Sequence, residues 1–585
     1  MNIPSHLREF VVDQEYEKYT PINQAVWRYV MRQNRAFLGE RAHAAYIDGL
    51  QSTGIEVEEI PRIESMNERL SKYGWGAVTI DGFLSSAAFM DFQAHGILPI
   101  ATDIRTHEHI AYTPAPDILH EAAGHAPILK DAKYASYVKR IGALGTKAMS
   151  TKEDYDVYEA IRHLSMVKED PMATPQQIEE AELRLKEVQD AVTEVSEIQL
   201  VSRLYWWTVE YGLIGSMEKP QIYGAGLLSS VGESKHCLKP DSKKLPFSLD
   251  ACIETGYDIT DYQPQLFVCR NFDELIEAVD ELEKRLACSI GGTESLVKAR
   301  RSENLATAVY SSGLQVTGVV NGLEYDDNDE AVYLQLKGPS ALAVEDTEIQ
   351  GHGKDYHKDG FGSPIGRLRG EATPLELYTD EQLTAQGIVE GQSASLEFES
   401  GIHVSGLVQY IKRHKEKIIL IGFDQCSVTN TDGRTLFDPA WGVYDMAVGA
   451  SVVSVFSGAA DKEAFSAHTD KKSALTRVRP QWSERERKLH DLYQNVRNIR
   501  ETTISGEETE QKLLAIADIL DAEYPQDWLL RLEILEILDS RGVAAQLEAA
   551  LRQQLAKLAE RAENTELITN GLALLGASDS SEQLA

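Results

Sequence analysis

The sequence predicts a multidomain protein: a mainly α-helical first domain, a β-rich second domain and a helical C-terminal region. Three observations predict it. Apolar residues recur at helical spacing in the first 300 residues. From about 305 to 460 they alternate at period two, with Gly and Asp clusters between the runs. Beyond Phe465 the helical spacing returns. At roughly 150 residues per domain, 585 residues leave room for about three or four. The boundaries read from these changes are 1–300, with a charged helical insertion at 151–197, then 301–460 and 461–585.

Ala25-Val26-Trp27 and Tyr29-Val30 form an apolar helix face, with Arg28 and Arg32 on the polar one. Residues 75–130 mix short apolar runs with turns. Asp117, after Pro114-Ala115-Pro116, is a fitting N-cap, so a helix should start near Ile118. Thr151 to Glu197 is charged and periodic, as expected of two solvated helices joined by a turn near Pro171 to Pro175. An apolar helix runs from Leu200 to Tyr211. Strands are expected at Gln315–Val320, Ala331–Leu336 and Ser393–Glu399. Helices are expected at Glu510–Ala522, Trp528–Leu538 and Val543–Ala562. No fixed-period repeat is visible, which favours a small bundle over a solenoid.

Composition narrows the function. Lys plus Arg is 58 against 92 Asp plus Glu, a net charge of −34. That argues against broad nucleic-acid binding and against docking on anionic lipid. A chain that is 43% hydrophobic is too apolar to be wholly disordered. The five cysteines contain no CxxC, which excludes a zinc ribbon or thioredoxin-type motif, and a sparse odd set suits free thiols in a reducing compartment. The N-terminus lacks the apolar region of a secretory signal. The most apolar stretch, Met446 to Ala460, is too short and too rich in Ser and Gly to span a bilayer. A soluble cytoplasmic protein is expected, with no nucleic-acid or membrane partner; self-association into a homo-oligomer is compatible with the sequence.

The chemistry concentrates in Pro116-Asp117-Ile118-Leu119-His120-Glu121-Ala122-Ala123-Gly124-His125-Ala126-Pro127. It resembles the zinc-protease HExxH with one residue too many between the histidines. At ~100° per residue, a spacing of five places two side chains ~140° apart on a regular helix, too far to share a metal. Gly124 lets the backbone end or distort the helix, and Pro127 stops it soon after, so a helix-end metal site is expected. The bland alternative is a pair of surface histidines. In Tyr205-Trp206-Trp207-Thr208-Val209-Glu210-Tyr211 a single carboxylate lies inside a strongly apolar helix, where burial without a partner is costly. A salt bridge to Arg203 would satisfy Glu210. So would a divalent metal, and His120, His125 and Glu210 would then form the two-histidine, one-carboxylate set of non-haem Fe(II) oxygenases.

Three ordered runs carry a resemblance: Tyr112 to Pro127, Tyr205 to Leu213, and Tyr223-Gly-Ala-Gly-Leu-Leu-Ser-Ser-Val-Gly-Glu233. Together they resemble the pterin-dependent aromatic amino acid hydroxylases over roughly residues 60–295, nearest to members acting on phenylalanine, in a long bacterial form. The resemblance implies a monooxygenase using Fe(II), O2 and a tetrahydropterin (tetrahydrobiopterin or a related pterin), with His120, His125 and Glu210 as iron ligands. It implies that Leu84, Ser86, Phe89 and Glu121 contact the pterin, that Arg105 grips the substrate carboxylate, and that Thr113, Trp206 and Ser229 line the substrate pocket. Phe89 could stack on a flat ring, although a lone Phe is also an ordinary core residue. Arg105 could take a carboxylate with both arms of its fork, although a lone Arg is also an ordinary ion-pair partner.

The expected reaction is ring hydroxylation of L-phenylalanine to L-tyrosine, a step of phenylalanine catabolism. Val268 aligns with a position that is apolar in the phenylalanine enzymes and acidic in the tyrosine enzymes. Trp206 fills a place where tryptophan enzymes carry a smaller ring. The alternatives are a tyrosine or tryptophan hydroxylase of the same family, or a metal-binding interaction protein with a degenerate site. Pro99 stands where animal enzymes have a pterin-side histidine, and the segment between His125 and Glu210 is about twice theirs. Gly224-Ala-Gly226 is not read as a dinucleotide loop, because it lacks a third Gly and a clear preceding strand. His352 and His357 are set aside as a second metal site, because no helix fixes their geometry.

Overall fold

Thr20 and Asn23 start the first long helix, Pro21–Leu38, by capping each other. The Thr20 hydroxyl accepts from the Asn23 amide at 3.2 Å, and Asn23 Oδ1 accepts from the Thr20 amide at 2.9 Å. The computed structural model describes residues 3–81, 84–111, 116–169, 173–257, 262–466, 482–560 and 564–575. Strands Gly76–Ile80 and Ile97–Ala101 pair in parallel, buried throughout, and helix Ser86–Ala94 crosses between them. This crossover carries Phe89. A second sheet, in the order Pro220–Ile222, Leu213–Gly215, Gln265–Cys269, Lys243–Pro246, backs the Glu210 segment. The first domain is therefore helical around two small sheets.

The insertion forms helices Lys152–Glu169 and Pro175–Asp190, which meet through Ala160, Leu164, Ala181, Leu185 and Val188. Pro171 lies outside the described residues; Pro175 opens the second helix behind a Thr174–Gln177 capping box. The β-rich part has two sheets. One is centred on the long strands Leu314–Tyr325 and Ala331–Val344, the other on His403–His414 and Lys417–Thr429. The apolar stretch from Met446 to Ala460 is used by strands Tyr444–Ala447 and Val452–Ser457, one in each sheet. No helix among the described residues is long and apolar enough to cross a membrane.

The C-terminal helices are Glu484–Glu501, Gly506–Glu523, Leu529–Arg541, Ala545–Ala559 and Thr565–Leu574. The first and last were not expected. Half of Glu484–Glu501 is charged, and it buries only Leu492, Tyr493, Val496 and Ile499, a stripe too thin to stand out.

These helices pack on Pro21–Leu38, which overturns one expectation. Arg28, read as part of a polar face, is only 1% exposed. Its Nε and Nη2 donate to Glu533 Oε1 and Oε2 at 3.0 and 2.7 Å. Arg500 Nη2 approaches the same carboxylate at 3.3 Å. The Tyr29 hydroxyl donates to the Leu567 carbonyl at 2.7 Å, and its ring meets Trp528 at 5.2 Å. One apolar core holds Trp27 and Val30 together with Leu532, Ile534 and Leu535. Glu533→Ala would leave Arg28 and Arg500 without their shared carboxylate in this core. We expect a loss of about 3–5 kcal/mol, read as a shift in the denaturant midpoint. A loss under about 1 kcal/mol would show that Arg28 finds water or another partner.

Candidate active site

The site begins with a cap. Asp117 Oδ1 accepts the His120 backbone N–H at 3.0 Å, and the helix starts at Ile118, as the sequence predicts. The winding beyond it differs from both helix-end readings. Leu119–His125 is wound as a π-helix, with i→i+5 closure. Residues five apart then stand nearly above one another, so the spacing that defeats a regular helix brings His120 and His125 together. Trp206–Glu210 is also π-wound, and the Tyr211 amide donates to the Trp206 carbonyl at 2.9 Å. Two glycines allow these turns to meet the segment Ala225–Ser229. A Cβ on Gly124 would lie 2.6 Å from the Ala225 carbonyl oxygen, and one on Gly224 would collide with the Glu210 carbonyl. Gly224 therefore serves close packing. A short strand, Pro220–Ile222, does precede this loop, contrary to expectation.

Three side chains converge. His120 Nε2 lies 3.2 Å from His125 Nε2 and 3.3 Å from Glu210 Oε2, and His125 Nε2 lies 3.3 Å from Glu210 Oε1. Ligands at right angles on an ion with bonds of about 2.1 Å sit about 3 Å apart, so the triangle fits a divalent metal. The Arg203 alternative fails, because Arg203 Nη1 donates to the Ile253 carbonyl at 2.9 Å. Burial alone would raise the Glu210 carboxyl; the imidazoles of His125 and His120 outweigh it and hold it well below the carboxylate range. Burial alone would lower His120, and Glu210 instead lifts it to about 9.

Ser229, expected in the substrate pocket, sits behind His120. Its hydroxyl donates to the Ala225 carbonyl at 2.8 Å and lies 3.0 Å from His120 Nδ1. The hydroxyl proton is thus engaged, so Nδ1 carries a hydrogen and donates, and Nε2 is the nitrogen that would give up its proton to a metal. Asp117 does more than cap. It accepts from Arg105 Nε and Nη2, both at 2.9 Å, and from the Arg105 backbone amide at 2.8 Å. Arg105 Nη1 donates to the Ser229 carbonyl at 3.3 Å. Three of five guanidinium donors are used, and two remain, one on each Nη. Burial would raise Asp117; the Arg105 charge keeps it below the usual range.

Glu121 is 3% exposed, and its Oε2 accepts no hydrogen bond from the described residues, while lying 3.7 Å from His125 Nε2. Burial pushes its carboxyl up to about 6. Such an atom fits a ring N–H donor arriving with a ligand. Phe89 is half-buried, with ring centroids 6.3 Å from His125 and 6.2 Å from Tyr205. Ser86 is exposed at the start of its helix, and Leu84 packs against the cluster of Leu7, Val78 and Phe92. Trp206 stacks on Tyr211 at 4.7 Å and on Tyr257 at 4.3 Å, and its Nε1 donates to Gln263 at 3.2 Å.

Val268 is a 4% exposed strand residue paired with Leu213 and Pro246, a setting that by itself calls for an apolar side chain. Thr113 lies outside the described residues. Sequence reasoning missed the roles of Ser229 and Asp117 toward the ligands. The signal available was Asp117 itself, an acid placed three residues before the first histidine.

Residues 13–161 and 145–290 match the family model of the biopterin-dependent aromatic amino acid hydroxylases. The phenylalanine-4-hydroxylase of Mesorhizobium japonicum is 28% identical over 273 residues, covering 46% of this chain and 82% of the relative. That of Chromobacterium violaceum is 25% identical over 272 residues, covering 46% and 77%. A crystal structure of the Chromobacterium violaceum phenylalanine hydroxylase with bound oxidised Fe(III) covers 48% of this chain and 88% of that one, at 25% identity and a TM-score of 0.38.

Ser229→Ala removes the acceptor that orients His120. We expect iron affinity to fall about 10–100-fold, measured against a competing chelator with the fold unchanged. Unchanged affinity would assign Ser229 to packing alone.

Proposed function

We propose, from the premise that the chain belongs through residues 13–290 to the biopterin-dependent aromatic amino acid hydroxylases, that it hydroxylates L-phenylalanine to L-tyrosine. The observation that carries this is the triangle of His120, His125 and Glu210 donors at 3.2–3.3 Å. When bound, iron and tetrahydropterin supply the activation of O2 and the oxidation of the ring.

The chain's own residues have four tasks. His120, His125 and Glu210 hold one face of the metal and leave the opposite face open. Ser229 fixes the His120 tautomer. Glu121 and Phe89, both beside His125, are where a pterin ring would be gripped by a carboxylate and an aromatic face. Arg105, locked by Asp117, offers its two remaining N–H groups to a substrate carboxylate without having to find its rotamer on binding. Trp206, held by Tyr211 and Tyr257, supplies a rigid aromatic wall.

The choice of phenylalanine is supported by the phenylalanine-4-hydroxylase relatives and by the apolar Val268. Residues 301–460 and 461–585 are read as accessory parts, the latter a cover over the first helix. The five free cysteines suit a cytoplasmic location.

The test has two readouts. Glu210→Ala should lose bound iron, and phenylalanine turnover should fall by at least about 10²-fold. In competition at equal concentration with saturating tetrahydropterin, phenylalanine should show a higher kcat/KM than tyrosine or tryptophan. Full iron and activity in Glu210→Ala would remove the ligand assignment. A preference for tyrosine or tryptophan would correct the substrate and keep the family.

A further inference from the structure

His352 and His357, set aside on sequence grounds, are not alone. A third donor reaches them from a strand far along the chain. His352 Nδ1 and His357 Nε2 stand 3.3 Å apart, and Asp445 Oδ2 lies 4.0 and 3.9 Å from them. The three residues are 7%, 8% and 5% exposed. We propose that the β-rich region binds a second divalent metal, of the Zn(II) class, through His352, His357 and Asp445.

The backbone holds these donors without a helix. The Leu342 amide donates to the His352 carbonyl at 2.9 Å, and the Ser340 amide to the His357 carbonyl at 3.0 Å. Both histidines are thus strapped to strand Ala331–Val344. Asp445 belongs to strand Tyr444–Ala447, in register with Gly422 of the other sheet. The cluster therefore bridges the two sheets of the region.

The donor chemistry suits an ion. The Tyr410 hydroxyl donates to Asp445 Oδ1. Oδ2 is left toward the imidazoles but beyond hydrogen-bond reach of either. The facing nitrogens of the two buried imidazoles, 3.3 Å apart, are the atoms that would present lone pairs to an ion. Lys412, on strand His403–His414, is a cation that acts electrostatically on both His352 and Asp445. A metal between the three donors answers all of them at once.

The spacing fits zinc. Tetrahedral bonds of about 2.0–2.1 Å place donors about 3.3–3.4 Å apart. The histidine pair already matches, and the carboxylate closes by about half an ångström. Three protein donors leave a fourth position for water or an incoming ligand. Tyr356 lies edge-on to both imidazoles and is 53% exposed, so it marks the solvent side of the cluster.

The test uses the full chain, stripped with chelator and titrated with Zn(II). Wild type should bind two ions per chain, one of them at the His120 site. Asp445→Asn, which keeps shape and the Tyr410 contact, should bind one, as should the double variant His352→Ala/His357→Ala. Phenylalanine hydroxylation with iron restored should persist in both and reports that they are folded. His120→Ala/His125→Ala should also bind one ion and lose it when Asp445→Asn is added. A reading that needs no variant is diethylpyrocarbonate labelling of wild type, followed by peptide mass. Zn(II) should protect His352 and His357. Unprotected histidines, or equal stoichiometry in wild type and Asp445→Asn, would overturn the site.

Discussion

Everything at the iron-type site depends on the i→i+5 winding of two short segments. A regular helix would turn His125 away from His120, and Glu210 would end its own helix at another angle. π-turns give poorer backbone geometry than an α-helix, so they persist where packing holds them. Here the packing is backbone against backbone. Gly124 lets one turn rest on the Ala225 carbonyl, and Gly224 lets the next loop rest on the Glu210 carbonyl. His120, His125 and Glu210 are thus locked to each other through Ala225–Ser229, whose last residue also orients His120.

Asp117 is the second point of control, because it links His120 to Arg105. One carboxylate caps the turn that presents His120 and fixes the guanidinium of Arg105. The support extends well past residue 300. Helix Ser86–Ala94, which carries Phe89, is pinned at Asp91 by His6 at 3.1 Å and by Lys462 at 2.7 Å. Helix Pro21–Leu38 is covered by the C-terminal helices through Arg28 and Tyr29. Cutting the chain near residue 300 would expose that apolar face and leave Arg28 without its partner. The change in sequence character near 300 marks a change of architecture and not the edge of the core.

Periodicity made three regions legible, because a face that must be buried repeats at 3.6 or 2 residues. Residue chemistry made His120, His125 and Glu210 legible, since an acid in an apolar helix needs a partner. The rest depends on contacts between residues distant in sequence. Arg28 reads as solvated because its carboxylate is Glu533, on a helix at the other end of the chain. Ser229 reads as a pocket residue because nothing local tells that its hydroxyl proton is already spent on Ala225. Val268 reads as a specificity residue by alignment, yet its strand neighbours account for its apolar side chain.

The two histidine pairs show the same dependence on distant contacts. His120/His125 and His352/His357 have identical spacing. In the first, a π-turn brings the rings together along one segment; in the second, a loop strapped to a strand does so. In each the carboxylate comes from elsewhere, Glu210 after the helical insertion and Asp445 from the opposite sheet. The requirement for a metal site is therefore convergence of donors with their outer atoms already engaged. Ser229 supplies this on His120 Nδ1, and Tyr410 supplies it on Asp445 Oδ1. A helix is one way to meet that requirement, and a β-hairpin region with a tethered loop is another.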